Sequence, residues 1–335
     1  MINRALVGGL GSIGQRHLRL LRSALPLADI RVLRHSGCDT PNKYADGCFD
    51  KLAAACDFSP ELAIIASPAP FHLPTAFALT KVGTHLLIEK PISVGAANVA
   101  RLIQICTEQR RQLQVGYNLR FMETLQLFRS KISAGTIGSI RIVRCEIGQY
   151  LPNWRQDIDY RNTVSAQAKL GGGALLELSH ELDMLRWIFG EVDWLSAWKG
   201  RQGRFDIDVE DSVFIQMGFA NGAVAQLSMD FLRHDTTRVC TAIGDMGTMR
   251  WDAVAGTVSH FDAQTGIWID LLRASPQKDD TYAAQINVLL TAIAEGMPSK
   301  IAAQGADGLA VMHIIEAVHA SDAASGRRIS LEQLL

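Results

Sequence analysis

The chain has 335 residues, of which 48% are apolar and 20% charged, and its formal net charge is -1. That length exceeds one ordinary open-sheet domain, so two hydrophobic cores are expected, and so apolar a composition excludes wholesale disorder. The balanced charge, with arginines scattered rather than gathered in a stripe, excludes an electrostatic footprint for nucleic acid or an anionic membrane.

Met1-Ile2-Asn3-Arg4 runs directly into an apolar segment, without a basic region, an apolar stretch and a cleavage site, so a cytoplasmic protein is expected. Ala5-Leu6-Val7 reads as a strand leading into glycines. Leu18, Leu21 and Leu25 then recur at helical spacing until Pro26, and Ile30-Arg31-Val32-Leu33 is strand-like again, which makes a β-α-β unit. Leu62-Ala63-Ile64-Ile65-Ala66 and His85-Leu86-Leu87-Ile88 read as buried parallel strands, with helices starting near Phe71 and Val94. Gln112-Leu113-Gln114-Val115 reads as a sixth strand. Such alternation predicts a Rossmann-type, doubly wound parallel sheet, because parallel neighbours need helical crossovers.

The pattern changes after Arg120, which sets domains of 1-119 and 120-335. Leu125, Phe128 and Ile132 mark a helix, and Ile140-Arg141-Ile142-Val143-Arg144-Cys145 alternates as a half-buried strand does. Polar, aromatic residues fill 150-170 without a period, and long ordered loops tend to be functional. A single helix is expected from Leu175 through Phe189. Asn221-Gly222, between Phe214-Ile215-Gln216-Met217 and Ala223-Val224-Ala225-Gln226-Leu227, predicts a two-residue hairpin turn with positive φ at both positions, and hence an open-faced, mostly antiparallel sheet in an α+β domain. Helices over 282-294 and 307-324 close the chain, with Gly326 as a stop and the terminal helix packing back on the first domain. No stretch reaches the roughly 18 uninterrupted apolar residues that span a bilayer. Six dispersed cysteines without a C-x-x-C pair predict free thiols and no metal site.

Gly9-Leu10-Gly11-Ser12-Ile13-Gly14 matches G-x-G-x-x-G at the junction of a strand and a helix. There the first glycine turns the chain, the second admits a pyrophosphate, the third lets helix and strand pack, and the helix N–H groups of Ser12 and Ile13 meet the phosphates. At the end of the second strand, where NAD enzymes carry an acid, stand Arg34, His35 and Ser36. A guanidinium and a hydroxyl suit a 2′-phosphate, so NADP is favoured over NAD, although Arg34 stacking on adenine would serve either. Glu89-Lys90-Pro91 lies where the fifth strand delivers its carboxyl end to the cofactor crevice. A lysine at that edge is able to hold a substrate hydroxyl and stabilise a developing alkoxide, or is simply a surface lysine.

These motifs, with Ala66-Ser67-Pro68 and His72, and with Gly171-Gly172-Gly173 leading to His180 and Asp183, resemble the glucose-fructose oxidoreductase, inositol dehydrogenase and rhizopine catabolism (Gfo/Idh/MocA) family over essentially the whole chain. The resemblance implies a nicotinamide-dependent oxidoreductase acting on a secondary alcohol of a sugar, inositol or nucleotide sugar, and a homo-oligomer, dimer or tetramer, through the flat sheet. It implies Ser67 and Pro68 beside the nicotinamide ribose, His72 among the cofactor-binding residues, Glu89 and Lys90 touching cofactor and substrate, Lys90 as the catalytic lysine and His180 as its acid/base partner. It also implies Asn118 near the nicotinamide, and Arg120 and Asp183 toward substrate. Members commonly carry an Asp four residues before the active-site His. Here Glu177 lies three before His180, a spacing that keeps both on one face of a helix. Trp154, Arg155, Asp157, Asp159, Tyr160 and Arg161 combine a stacking surface with bidentate polar groups. They suit a sugar site, with Trp154 and Arg155 as substrate contacts, and suit a subunit contact equally. A redox-neutral, NAD-dependent glycosidase and a non-catalytic dinucleotide sensor are the alternatives.

Overall fold

The computed structural model describes residues 2-34, 37, 38, 42-155, 158-275, 277 and 279-333. It contains two compact units, Met1–Phe121 with Lys278–Met312, and Met122–Gln277 with His313–Leu335.

The first unit opens with β1 (Arg4–Gly8), α1 (Ser12–Ala24), β2 (Asp29–Leu33), β3 (Gly47–Phe49), α2 (Leu52–Asp57) and β4 (Leu62–Ile65). It continues with α3 (His72–Thr80), β5 (His85–Ile88), α4 (Val99–Glu108) and β6 (Leu113–Val115). The strands form one parallel sheet in the order β3-β2-β1-β4-β5-β6. That order reverses direction between β1 and β4, and open α/β sheets bind ligands at the carboxyl ends of the strands flanking such a point. β4 and β5 are buried along their whole lengths, as strands covered on both faces must be. The short β3 carries no period and is not apparent in the sequence. α4 starts later than the expected Val94, because Asn98 takes a positive φ of 66° that no helix interior tolerates.

The second unit begins with α5 (Glu123–Ser133), β7 (Ile140–Gly148), α6 (Ala174–Glu177), α7 (His180–Phe189) and β8 (Val192–Gly200). Then follow β9 (Ser212–Phe219), β10 (Val224–Asp230), β11 (Thr237–Gly244), β12 (Gly247–Asp252), β13 (Thr257–Asp262) and β14 (Ile267–Arg273). After α8 (Asp280–Glu295) and α9 (Gly305–Ala323) the chain returns as β15 (Ile329–Ser330). The nine-stranded sheet runs β14-β13-β12-β11-β7-β10-β9-β8-β15, and only the β10–β7 pair among these is parallel. One face packs on helices, where Trp251 of β12 donates its indole N–H to Thr124 of α5 at 3.0 Å. The other face exposes Ile142, Trp198, Phe214 and Val224 around a groove of about 730 Å³ that includes Arg144, Gln216 and Gln226.

Three expectations change. Residues 278-312, assigned to the second domain from the sequence, lie in the first unit, where Ile286 and Leu289 of α8 join the core made by Ala5, Val7, Ile30, Ile64 and Leu87. The β9–β10 connection is a three-residue loop, 220-222, closed by a Phe219 N–H bond to the Ala223 carbonyl, with positive φ at Gly222 and not at Asn221. Cys38 and Cys48 are joined in a disulfide, whereas Cys56, Cys106, Cys145 and Cys240 are free. Pairing of Val32 with Cys48 brings β3 alongside the segment that follows β2, and the Cα atoms stand 5.7 Å apart, a separation a disulfide spans. Among the described residues no helix is long and apolar enough to cross a membrane.

Candidate active site

In the first unit the glycine turn follows β1 and opens α1. Gly9 has φ +90°, and a Cβ there would lie 2.8 Å from the Ala66 carbonyl and the Ser67 nitrogen, so the turns after β1 and β4 touch. A Cβ at Gly14 would collide with the Gly9 carbonyl. Gly11 differs: a Cβ there meets nothing within 4 Å. No side chain caps α1, so the N–H groups at Ser12, Ile13 and Gly14 point outward from a helix start without internal partners. The Ser67 hydroxyl beside this turn is buried with no hydrogen-bond partner. An open approach at one glycine, free helix N–H groups and an orphaned hydroxyl fit a dinucleotide whose pyrophosphate lies on α1 and whose ribose reaches Ser67 and Pro68. Arg34 follows β2 half-buried, its backbone N–H bonded to the Phe49 carbonyl. His35 and Ser36 lie outside the described residues.

Lys90 leaves the carboxyl end of β5, half-buried, ahead of a cis peptide bond to Pro91. Two residues expected to touch cofactor are occupied otherwise. Glu89 is buried, and its two carboxylate oxygens take the His17 ring at 2.6 Å and the Lys90 backbone N–H at 3.1 Å. Burial pushes the Glu89 carboxyl up, but the hydrogen bond from His17 and the neighbouring positive charges outweigh it and hold the carboxyl below its usual range. His72 is 1% exposed and braces two turns, with Nδ1 2.9 Å from the Pro91 carbonyl and Nε2 2.6 Å from the Ser67 carbonyl. A neutral ring donates to only one of these at a time. Burial nonetheless dominates and lowers the His72 pKa.

Asn118 and Arg120 also turn inward, in a 3₁₀ turn after β6. The Asn118 amide donates to the Thr281 hydroxyl at 2.8 Å, and Arg120, 3% exposed, pairs with Asp307 at 3.2 Å. Arg120 is thereby tied to the start of α9.

In the second unit the expected single helix is two, α6 ending at Glu177 and α7 starting at His180, because Leu178 leaves helical geometry (φ -98°, ψ 20°). The shared helix face expected for Glu177 and His180 is thus interrupted. Glu177 accepts the Ser165 hydroxyl at 2.8 Å, and both Glu177 and His180 are half-buried. Trp154 and Arg155 line a small recess with Leu151, Tyr160 and Ser165, so the loop and Glu177 are joined through Ser165. Trp154 packs edge-on against Phe231 (5.0 Å) and donates its indole N–H to the Gln149 carbonyl at 3.1 Å, which fixes the ring. Asp159 and Arg161 pair with each other at 2.5 Å, and Asp157 lies outside the described residues. Asp183, expected toward substrate, is 2% exposed within the core-facing run 181-185 of α7. Sequence reasoning missed His17 and Ser165. For His17 a signal existed, since it falls one helical turn after Gly14, on the face of α1 that must meet the sheet.

The model of an oxidoreductase family with an NAD-binding Rossmann fold matches residues 2-117, and the model of the GFO/IDH/MocA C-terminal domain matches residues 125-250. The rhizopine catabolism protein MocA of Rhizobium meliloti is 30% identical over 129 residues, a stretch that spans 38% of each chain. The inositol 2-dehydrogenase of Rhizobium meliloti (strain 1021) is 26% identical over 349 aligned residues, covering 96% of this chain and 97% of its own. A solved structure of levoglucosan dehydrogenase, in complex with NADH and L-sorbose, superposes with a TM-score of 0.85 at 19% identity over 98% of both chains, a likeness of fold.

Proposed function

The chain belongs to the GFO/IDH/MocA family of oxidoreductases, and on that premise we propose that it moves a hydride between a nicotinamide dinucleotide and a secondary alcohol of a sugar, inositol or nucleotide sugar. The observation that carries the reading is the glycine turn after β1, open at Gly11, with Ser67 and Lys90 at the carboxyl ends of the neighbouring strands of the same sheet. Gly9, Gly11, Ser12, Ile13 and Gly14 would hold the pyrophosphate, and Ser67 and Pro68 the ribose near the reactive ring. When bound, the dinucleotide supplies a hydride acceptor or donor. The chain's own part is acid/base and electrostatic: His180 takes the hydroxyl proton, and the Lys90 ammonium stabilises the oxygen as it gains charge. Glu177, held by Ser165, orients that end of the site, and Trp154 and Arg155 offer a ring face and a planar cation to the substrate.

Arg34 supports a preference for NADP through a 2′-phosphate. Comparing kcat/KM for the two cofactors tests it, and a clear preference for NAD contradicts it. Absorbance of the reduced nicotinamide, followed against a panel of sugars, inositols and nucleotide sugars, tests the reaction itself. A redox-neutral glycosidase or a sensor would leave that absorbance unchanged.

The open sheet face, with Trp198 and with Phe214 at 52% exposure, supports a second copy of the chain as its cover. Light scattering on Phe214→Glu should then give a smaller assembly than the parent. The reading assigns the enzyme to the cytoplasm, where thiols are kept reduced. The Cys38–Cys48 bridge bears against that address, so rapid thiol trapping on lysis should find both cysteines reduced if it holds.

A further inference from the structure

A carboxylate taken out of water persists only where donors offset the lost hydration. Glu89 is such a group, and it sits one residue before Lys90. We propose that His17 is a positioning residue: through Glu89 it fixes the backbone at Lys90, and so ties the helix that opens the glycine turn to the strand end that carries the lysine. The inference rests on the reading of Lys90 given above.

Each Glu89 oxygen has one task. Oε1 takes His17 Nε2 at 2.6 Å, and Oε2 takes the Lys90 backbone N–H at 3.1 Å. The carboxylate has a cradle of its own, since a Cβ at Gly116 would lie 2.7 Å from Oε2. The His17 side chain is wholly buried on α1, three residues past Gly14, and its ring meets Tyr282 edge-on at 5.5 Å and 79°. Tyr282 in turn lies under the Arg16 guanidinium at 4.9 Å. The ring is therefore held in one orientation. Its Nδ1 is buried with no hydrogen-bond partner. A residue present only to fill that space would be leucine or methionine, which bury no orphaned nitrogen. The hydrogen bond to Glu89 is what distinguishes histidine from these. A displacement of α1 at the pyrophosphate end would thus be felt at Lys90 through two hydrogen bonds.

Two substitutions separate positioning from filling. His17→Leu keeps the volume and removes the donor, whereas the amide of His17→Gln reaches about as far as Nε2 and restores it. Two readouts follow for each variant. The first needs no substrate: the rate of reductive methylation of Lys90, followed by peptide mass spectrometry. The second is kcat against pH with a polyol that reacts, beside the dissociation constant for NADPH. For His17→Leu we expect Lys90 to be labelled severalfold faster and kcat to fall by about tenfold, with the NADPH constant little changed. The acid limb of kcat should also move to higher pH, because Glu89 loses the donor that offsets its burial. His17→Gln should return both readouts toward the parent.

The inference is overturned if His17→Leu leaves labelling and kcat at parental values, or if the leucine and glutamine variants fall alike. If His17→Leu does not fold, Glu89→Gln reads the same tie from its other end, with loss of kcat supporting it and parental kcat and labelling overturning it. Lys90→Ala serves as the control. Parental turnover in Lys90→Ala would sink the reading of Lys90 itself, whereas its loss beside an unaffected His17→Leu would sink only the tie.

Discussion

The two sheets of this molecule treat their surfaces in opposite ways. The parallel sheet buries β4 and β5 entirely and offers a ligand only the turns at its strand ends. The antiparallel sheet packs one face and leaves Trp198 and Phe214 exposed on the other. In the first unit, backbone geometry sets residue identity, because Gly9 and Gly14 have no room for a Cβ. In the second, the candidate residues Trp154, Arg155, Glu177 and His180 are brought in by loops and short helices, where many residue types would satisfy the same backbone. Under the proposed reading the labour is divided, with the dinucleotide and Lys90 at the strand ends of the first unit and His180 and the substrate contacts Trp154 and Arg155 on the second.

The sharpest way to break that division is Lys90→Ala. It should lose about a hundredfold or more in kcat while the dinucleotide still binds. Trp154→Ala, on the other unit, should instead raise KM for substrate by about tenfold and leave the dinucleotide constant alone, because stacking contributes binding more than catalysis. Equal effects of the two substitutions on kcat would erase the distinction. Arg34→Ala should weaken NADPH by several-fold and NADH hardly at all, and parallel losses would remove Arg34 from the discrimination.

The smallest effect belongs to the fold of the first unit. Burial, and then the Arg111 charge, hold His85 down to about 4, and its Nδ1 accepts the Gln112 backbone N–H at 2.9 Å. A folded pKa below the unfolded value of 6.5 means that the unfolded chain binds more protons between those limits. Stability from this group is complete above the upper limit and is lost as pH falls toward the lower one. His72, also lowered by burial, acts in the same direction. Tm should therefore decline across that window, and a flat profile would contradict the burial of these rings in neutral form.

The same contrast explains what could be read from the sequence. The parallel order, the glycine turn and the place of Glu89-Lys90 were legible, since strand-helix alternation and steric demands leave few solutions. The roles of individual polar residues were less so. Arg120, Asp183, His72 and Glu89 stand where a ligand contact was expected, yet Arg120 and Asp183 are buried, and His72 and Glu89 bond to protein groups. A periodicity argument finds which face of an element is apolar. It does not find the partner that a buried polar group takes from a distant segment, such as Asp307 for Arg120 or His17 for Glu89. The break between Glu177 and His180 escaped for a related reason: two short helices in tandem share the apolar spacing of one long helix.

Gly11 gives the most direct test of the central claim, because its backbone admits a side chain (φ -64°) and the space above it is open. Isothermal titration of NADPH and NADH into the parent and Gly11→Val, each with its Tm in the absence of ligand, separates cofactor binding from folding. The account predicts one dinucleotide bound per parent chain, and for Gly11→Val an unchanged Tm with binding reduced by tenfold or more, about 1.4 kcal/mol at least. Equal binding by both proteins, or none by the parent, would contradict it.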